Sequence, residues 1–150
     1  NSNNSKMGKK NFHKAFKVKA SAQEVVKRIS EVNLWWAKDF RGKAKKVKDR
    51  FSVHFGSTYV KFQVSELIPD EKVVWKVTDC NLHWIHDKKE WRGTDVVFEI
   101  SEGKSSTKVD FTHAGLFPGM ECYKDCKAGW TEHLKIGLAD LIDKGKGAPV

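Results

Sequence analysis

Several scarcities narrow the field before any motif is read. Cysteine is rare and odd in number, with Cys80, Cys122 and Cys126 the only three in 150 residues, too few for the disulfide framework of a small secreted scaffold. No run approaches the ~20 consecutive apolar residues that a membrane-spanning helix needs. Nothing at the start of the sequence follows the charged, apolar, then small-residue order of a signal peptide. The expected compartment is therefore a reducing cytoplasm, with no integral membrane association. A glycine-rich phosphate loop, a G-x-S-x-G elbow and an HExxH helix are all missing, so the sequence names no catalytic residue and no cofactor. Acidic residues are outnumbered, 19 against 28 Lys and Arg, for a formal net charge of +9. Such an excess can attract nucleic acid, anionic lipid or an acidic protein.

What is present reads as one domain. The first ten residues, NSNNSKMGKK, are polar and basic and are expected to form a mobile arm (residues 1–10), leaving residues 11–150 as a single core-forming unit. Asn11 to Lys19 alternates imperfectly, and Ser21 with Glu24 makes a capping box that opens a helix running to about Ser30. Its apolar face carries Ala22, Val25, Val26 and Ile29. A short aromatic segment follows at Leu34, Trp35, Trp36 and Phe40. From Arg41 the period changes to two. Phe51, Val53 and Phe55 pair with Val60, Phe62 and Val64 around Gly56-Ser57, and a third strand carries Val73, Trp75 and Val77. Asp79 to Arg92 has weak periodicity and reads as a long connection, with room for a strand at its end. Val96, Phe98 and Ile100 turn through Glu102-Gly103 into Val109, Phe111 and His113. A long helix is predicted from Pro118, with Cys122, Cys126, Trp130, Leu134, Leu138 and Leu141 forming one stripe before Gly145 and Gly147.

Several groups of residues could carry function. His113 shares the inward phase of Val109 and Phe111, and either hydrogen bonds within the core or faces a ligand cavity. Gly129 and Gly137 leave room along the long helix, with His133 four residues from each. Of the six tryptophans, Trp35, Trp36, Trp75 and Trp130 suit either a core or an amphipathic pocket wall, whereas Trp84 and Trp91 read as plain packing. Cys122 and Cys126 lie on the packing stripe without the CxxC turn of a zinc knuckle, so no metal is expected. Cys80 has no adjacent histidine to activate it. Arg41 to Arg50, RGKAKKVKDR, places six basic residues in ten. It contains none of the interleaved aromatics of single-strand binders. Nucleic acid is therefore not expected there, and the run reads as a lysine-protected edge strand or as a surface for a protein partner.

Five segments carry a family resemblance: FKVKASAQEVVKRIS (Phe16 to Ser30), VSELIPDEKVVWKV (Val64 to Val77), EWRGTDVVFEI (Glu90 to Ile100), TKVDFTHAGL (Thr107 to Leu116) and GWTEHLKIGLADLIDKGKG (Gly129 to Gly147). In this order they resemble the SRPBCC (START/Bet v 1-like) superfamily, in the branch named after the C-terminal domain of the activator of Hsp90 ATPase. The resemblance implies an α+β helix-grip fold, a curved antiparallel sheet wrapped around a long C-terminal helix. It also implies an apolar cavity between the two and transfers no chemistry. The expected function is an intracellular binding module for a small hydrophobic or amphipathic ligand, held by Trp35, Trp36, Phe62, Trp75, His113, Trp130 and His133. One rival is a cyclase- or dehydratase-type enzyme using His113 or His133 as general acid or base. The other is a chaperone- or protein-interaction module using the basic edge. Either a monomer or a homodimer is compatible with the sequence.

Overall fold

Ser21 opens the first helix through half of the expected capping box. Its Oγ accepts the Glu24 backbone N–H at 3.2 Å, while the Glu24 carboxylate turns down the helix to Arg28 Nε at 3.0 Å. In this computed structural model, which describes residues 10–150, the elements run in order along the chain. They are β1 (Phe12–Val18), α1 (Ala22–Ser30), α2 (Val32–Trp35), β2 (Asp39–Gly42), β3 (Arg50–Phe55), β4 (Thr58–Ile68), β5 (Lys72–Asn81), β6 (Asp95–Glu102) and β7 (Thr107–Ala114). A long helical segment follows, made of α3 (Tyr123–Glu132), a π-helical stretch (His133–Ala139) and α4 (Asp140–Lys144). Apart from Lys10, the predicted N-terminal arm lies outside the described residues.

The seven strands form one antiparallel sheet in the order β1-β7-β6-β5-β4-β3-β2. β2 to β7 are a meander, and β1 returns to pair with β7 so that Phe12 opposes His113 and Phe16 opposes Val109. Register shifts between β4 and β5, at Lys61/Phe62 and Val64/Glu66, are irregularities of the kind that bends and coils a sheet. Alternation puts Val96, Phe98 and Ile100 opposite His113, Phe111 and Val109, and all six are buried. This is the helix-grip architecture, with the sheet's inner face against the long helix.

The helical stripe shows why the π-helical stretch sits where it does. Cys122, Cys126, Trp130, Leu134 and Leu138 repeat every four residues, and an α-helix turns in 3.6, so a strict four-residue repeat would drift off the core. A π-turn bonds to the fifth residue and winds more slowly. Leu134 and Leu138 consequently stay buried with Leu141.

Three local expectations change. The helix starts at Tyr123, not Pro118, because Phe117 to Tyr123 is spent in turns closed by Met120 N–H to Phe117 O and Tyr123 N–H to Met120 O. β5 continues to Asn81, and the connection after it consists of turns as far as Gly93. The basic run is strand only at its two ends. Lys43 to Asp49 form a loop in which Asp49 Oδ2 accepts the Lys45 and Lys46 backbone N–H groups at 2.9 and 3.1 Å. Those bonds hold the Asp49 carboxyl below its ordinary range.

Candidate functional site

A cavity of about 290 Å³ lies where α3, the end of α2, the β3–β4 hairpin and the connection after β5 meet. Its border is aromatic. Trp36 follows α2, Phe55 ends β3, Trp84 and Trp91 come from the connection, and Trp130 comes from α3. Val60 and Leu82 add aliphatic surface, and Thr58, Asp125 and His133 add polar atoms. A depression on the outer face of the long helix encloses a larger volume, but Lys124, Lys127, Glu132 and Lys135 surround it.

The connection that carries Trp84 and Trp91 is clamped to the helix start by reciprocal bonds. Glu121 accepts the Asp87 N–H at 2.9 Å and also that of His86, while Glu90 accepts the N–H groups of Glu121 and Cys122 at 2.8 and 3.0 Å. The two amides bonded to Glu121 pull its carboxyl below the usual range. Trp84 is 48% exposed and is held by its N–H donating to Asp125 Oδ2 at 3.1 Å. Trp91 is buried and donates to Cys122 Sγ at 3.3 Å.

Of the seven residues expected in the pocket, Trp36, Trp130 and His133 border this cavity, and Trp35, Phe62, Trp75 and His113 stand behind it. Trp35 and Trp36 are adjacent on one helical turn and so face different surroundings. Trp35 donates to Ile29 O at 3.2 Å and packs edge-on against Phe98. Trp36 has its ring 5.7 Å from Phe62 and 6.5 Å from Trp75, so it stands between those two and the cavity. The two helical glycines also separate. A Cβ at Gly129 would meet nothing within 4 Å, whereas one at Gly137 would lie 2.4 Å from the Trp35 carbonyl oxygen. Gly129 borders open space, and Gly137 lets two helices touch.

His113 is fully buried and engaged at both nitrogens. Trp130 Nε1–H donates to its Nδ1 at 3.0 Å, which places the ring proton on Nε2, facing Thr94 Oγ1 at 2.9 Å. Thr94 in turn donates to the Trp91 carbonyl oxygen at 2.6 Å. Burial, with no carboxylate partner, pushes the His113 pKa from 6.5 to about 3. These bonds tie the Trp130 indole and the Trp91 backbone together at the cavity border and occupy both ring nitrogens of His113. His133 is the reverse case. It is half-buried, its pKa is lowered by that burial, and its ring makes no hydrogen bond among the described residues. It alone of the two histidines can meet a polar group entering the cavity.

Apart from Gly129, which the sequence marks as leaving room along the helix, the remaining border residues escape the sequence pattern, because the connection after β5 has no period to read and Phe55 and Thr58 flank a turn. The helical ones carried a signal: Cys126, Gly129, Trp130 and His133 recur at three and four residues, so a pocket facing Trp130 and His133 meets the other two. All three cysteines are free and buried. Burial raises the Cys80 pKa. The side-chain hydrogen bond that the Cys126 thiol makes to Cys122, then burial, raises that of Cys126. Neither is poised as a thiolate. Among the described residues, no group of three or more His, Cys, Asp or Glu gathers to hold a metal ion. No helix among them is long and apolar enough to cross a membrane.

Residues 31–143 match the family model of activator of Hsp90 ATPase homolog 1-like protein. The chain belongs to that family. Among solved structures, the Aha1 dimer from Colwellia psychrerythraea is 24% identical, covers 92% of this chain and 99% of its own, and superposes with a TM-score of 0.74. MLL2253 from Mesorhizobium loti is 16% identical over 89% of this chain and 98% of its own, with a TM-score of 0.68. CalU16 from Micromonospora echinospora is 14% identical over 93% and 78%, with a TM-score of 0.65. At these identities the neighbours establish the helix-grip fold of this family member and nothing of its chemistry. No curated protein matches the chain in sequence.

Proposed function

We propose that this family member is a binding module for a small apolar or amphipathic ligand, held in the cavity between the hairpin, the connection after β5 and the long helix. The observation that carries the reading is the contrast between the closed aromatic core and the open cleft beside it. Behind Trp36 the aromatic core is closed, with Trp35, Trp75, Phe62 and Phe98 fully buried, and beside it about 290 Å³ stays open among rings that could have filled it. An open cleft bordered by indoles, with a few converging polar atoms, supports a ligand site. His133 supplies an unsatisfied hydrogen-bonding group, and Asp125 supplies a second polar atom at the exposed Trp84.

Native mass spectrometry of detergent-free protein from its own host is expected to show one small organic adduct per chain, removable by solvent extraction. Protein that carries no adduct and takes up no apolar probe afterwards would refute the reading.

A second reading rests on the basic edge. Lys43, Lys45, Lys46 and Lys48 make no ion pair among the described residues, unlike Arg41, which pairs with Asp39 at 2.9 Å, and they flank the edge strand β2. That placement suits an acidic protein partner. The dimeric state of the Colwellia neighbour favours homodimerisation of this chain as well. Replacing the four lysines with Gln is expected to leave probe binding in the cavity unchanged, and any loss of affinity for an acidic partner would locate that contact here.

A further inference from the structure

The charge of the cavity border runs against that of the rest of the chain. Lys and Arg number 28 in the sequence, yet none of them borders the cavity. Asp125 is its one charged side chain, and among the described residues it makes no ion pair. His133 stays neutral at physiological pH because burial lowers its pKa. The indole edges offer little to an anion either. Trp84, Trp91 and Trp130 direct their N–H groups to Asp125, Cys122 and His113. The N–H donors of three of the four indoles are thus already engaged by protein acceptors. An anion entering this space would meet a carboxylate and no compensating cation. A cation would meet that carboxylate among aromatic side chains, a residue type that attracts ammonium groups, Trp most strongly.

We propose that the cavity selects an amphipathic cation, an alkyl- or aryl-substituted ammonium, over a carboxylate of the same size. The selection rests on the cavity being a ligand site and adds the class of its ligand. It also opposes the molecule's long-range field. A net charge of +9 draws anions and repels cations at the surface, so a cation preference can arise only from the local border.

The test titrates octyltrimethylammonium, octanoate and octanol into the full chain at 0.15 M salt, where the Debye length is about 8 Å, and follows the heat of binding. The ammonium is expected to bind at least tenfold more tightly than octanoate, with octanol between them. Asp125→Asn keeps an acceptor for the Trp84 N–H and is expected to shrink the ammonium-to-octanoate ratio about fivefold, while Asp125→Lys should invert it. Melting curves of both variants confirm that the fold is intact. Octanoate binding as tightly as the ammonium, or a ratio that Asp125→Asn and Asp125→Lys leave unmoved, would overturn the cation preference while the octanol titration still upheld the cavity. Absence of binding by all three would overturn both.

Discussion

Trp130→Ala is expected to lower unfolding stability by about 3–5 kcal/mol, the range for deleting a buried tryptophan side chain. Although Trp130 borders the cavity, it is only 2% exposed. Its ring lies 4.6 Å from Phe111, 4.8 Å from Trp36 and 5.8 Å from Trp91, stacked on the last. Truncation removes all three contacts and leaves His113 Nδ1 without its donor. Trp130→Phe separates these effects. It keeps most of the aromatic area and loses the N–H, so it should cost only the stranded acceptor, about 1–3 kcal/mol. Urea unfolding of the two variants measures the difference. A loss below about 1 kcal/mol for the alanine variant would show that Trp130 is a loosely held lining residue and not part of the core.

The second large effect is acid destabilisation driven by His113. In the unfolded chain its imidazole titrates near 6.5, and in the fold burial lowers that to about 3. Between those values the unfolded state binds a proton that the native state does not, so stability falls as pH falls. The contribution is fully present above about pH 6.5 and is lost at up to about 1.4 kcal/mol per pH unit below it, or about 3 kcal/mol by pH 4. His133 acts in the same direction, since its pKa is also lowered. His113→Phe abolishes the His113 contribution at the cost of stranding the Trp130 N–H. That variant should be less stable than the parent at pH 7.5, and its stability should vary much less between pH 6.5 and 4.5. A variant with the parent's full slope would place the titrating group elsewhere.

The strands and the long helix were legible because one face of each is buried, and burial writes a period of two or of about four into the sequence. His113 was correctly phased inward beside Val109 and Phe111. What alternation could not show was depth: Phe62, Trp75 and His113 face the same interior as the cavity, yet Trp36, Trp91 and Trp130 cover them. The connection after β5 was illegible for another reason. Its order comes from Glu90 and Glu121 bonding backbone N–H groups across more than thirty residues of chain, and such clamps leave no local pattern. Trp84 and Trp91 therefore looked like ordinary packing residues. Gly129 and Gly137 looked equivalent for the same reason, since only the tertiary neighbours differ.

Gly129→Leu examines the cavity most directly, because the new side chain has open space before it and replaces a poor helix former with a good one. The measurement is a fluorescence titration of Nile red, a neutral apolar probe, into the parent and this variant, with melting temperature recorded alongside. The parent is expected to bind one probe per chain saturably. The variant should melt no lower and lose at least tenfold in affinity, because the leucine occupies the probe's volume. Equal affinity in the two proteins at equal stability would mean that the probe binds elsewhere and that this cavity is not the ligand site.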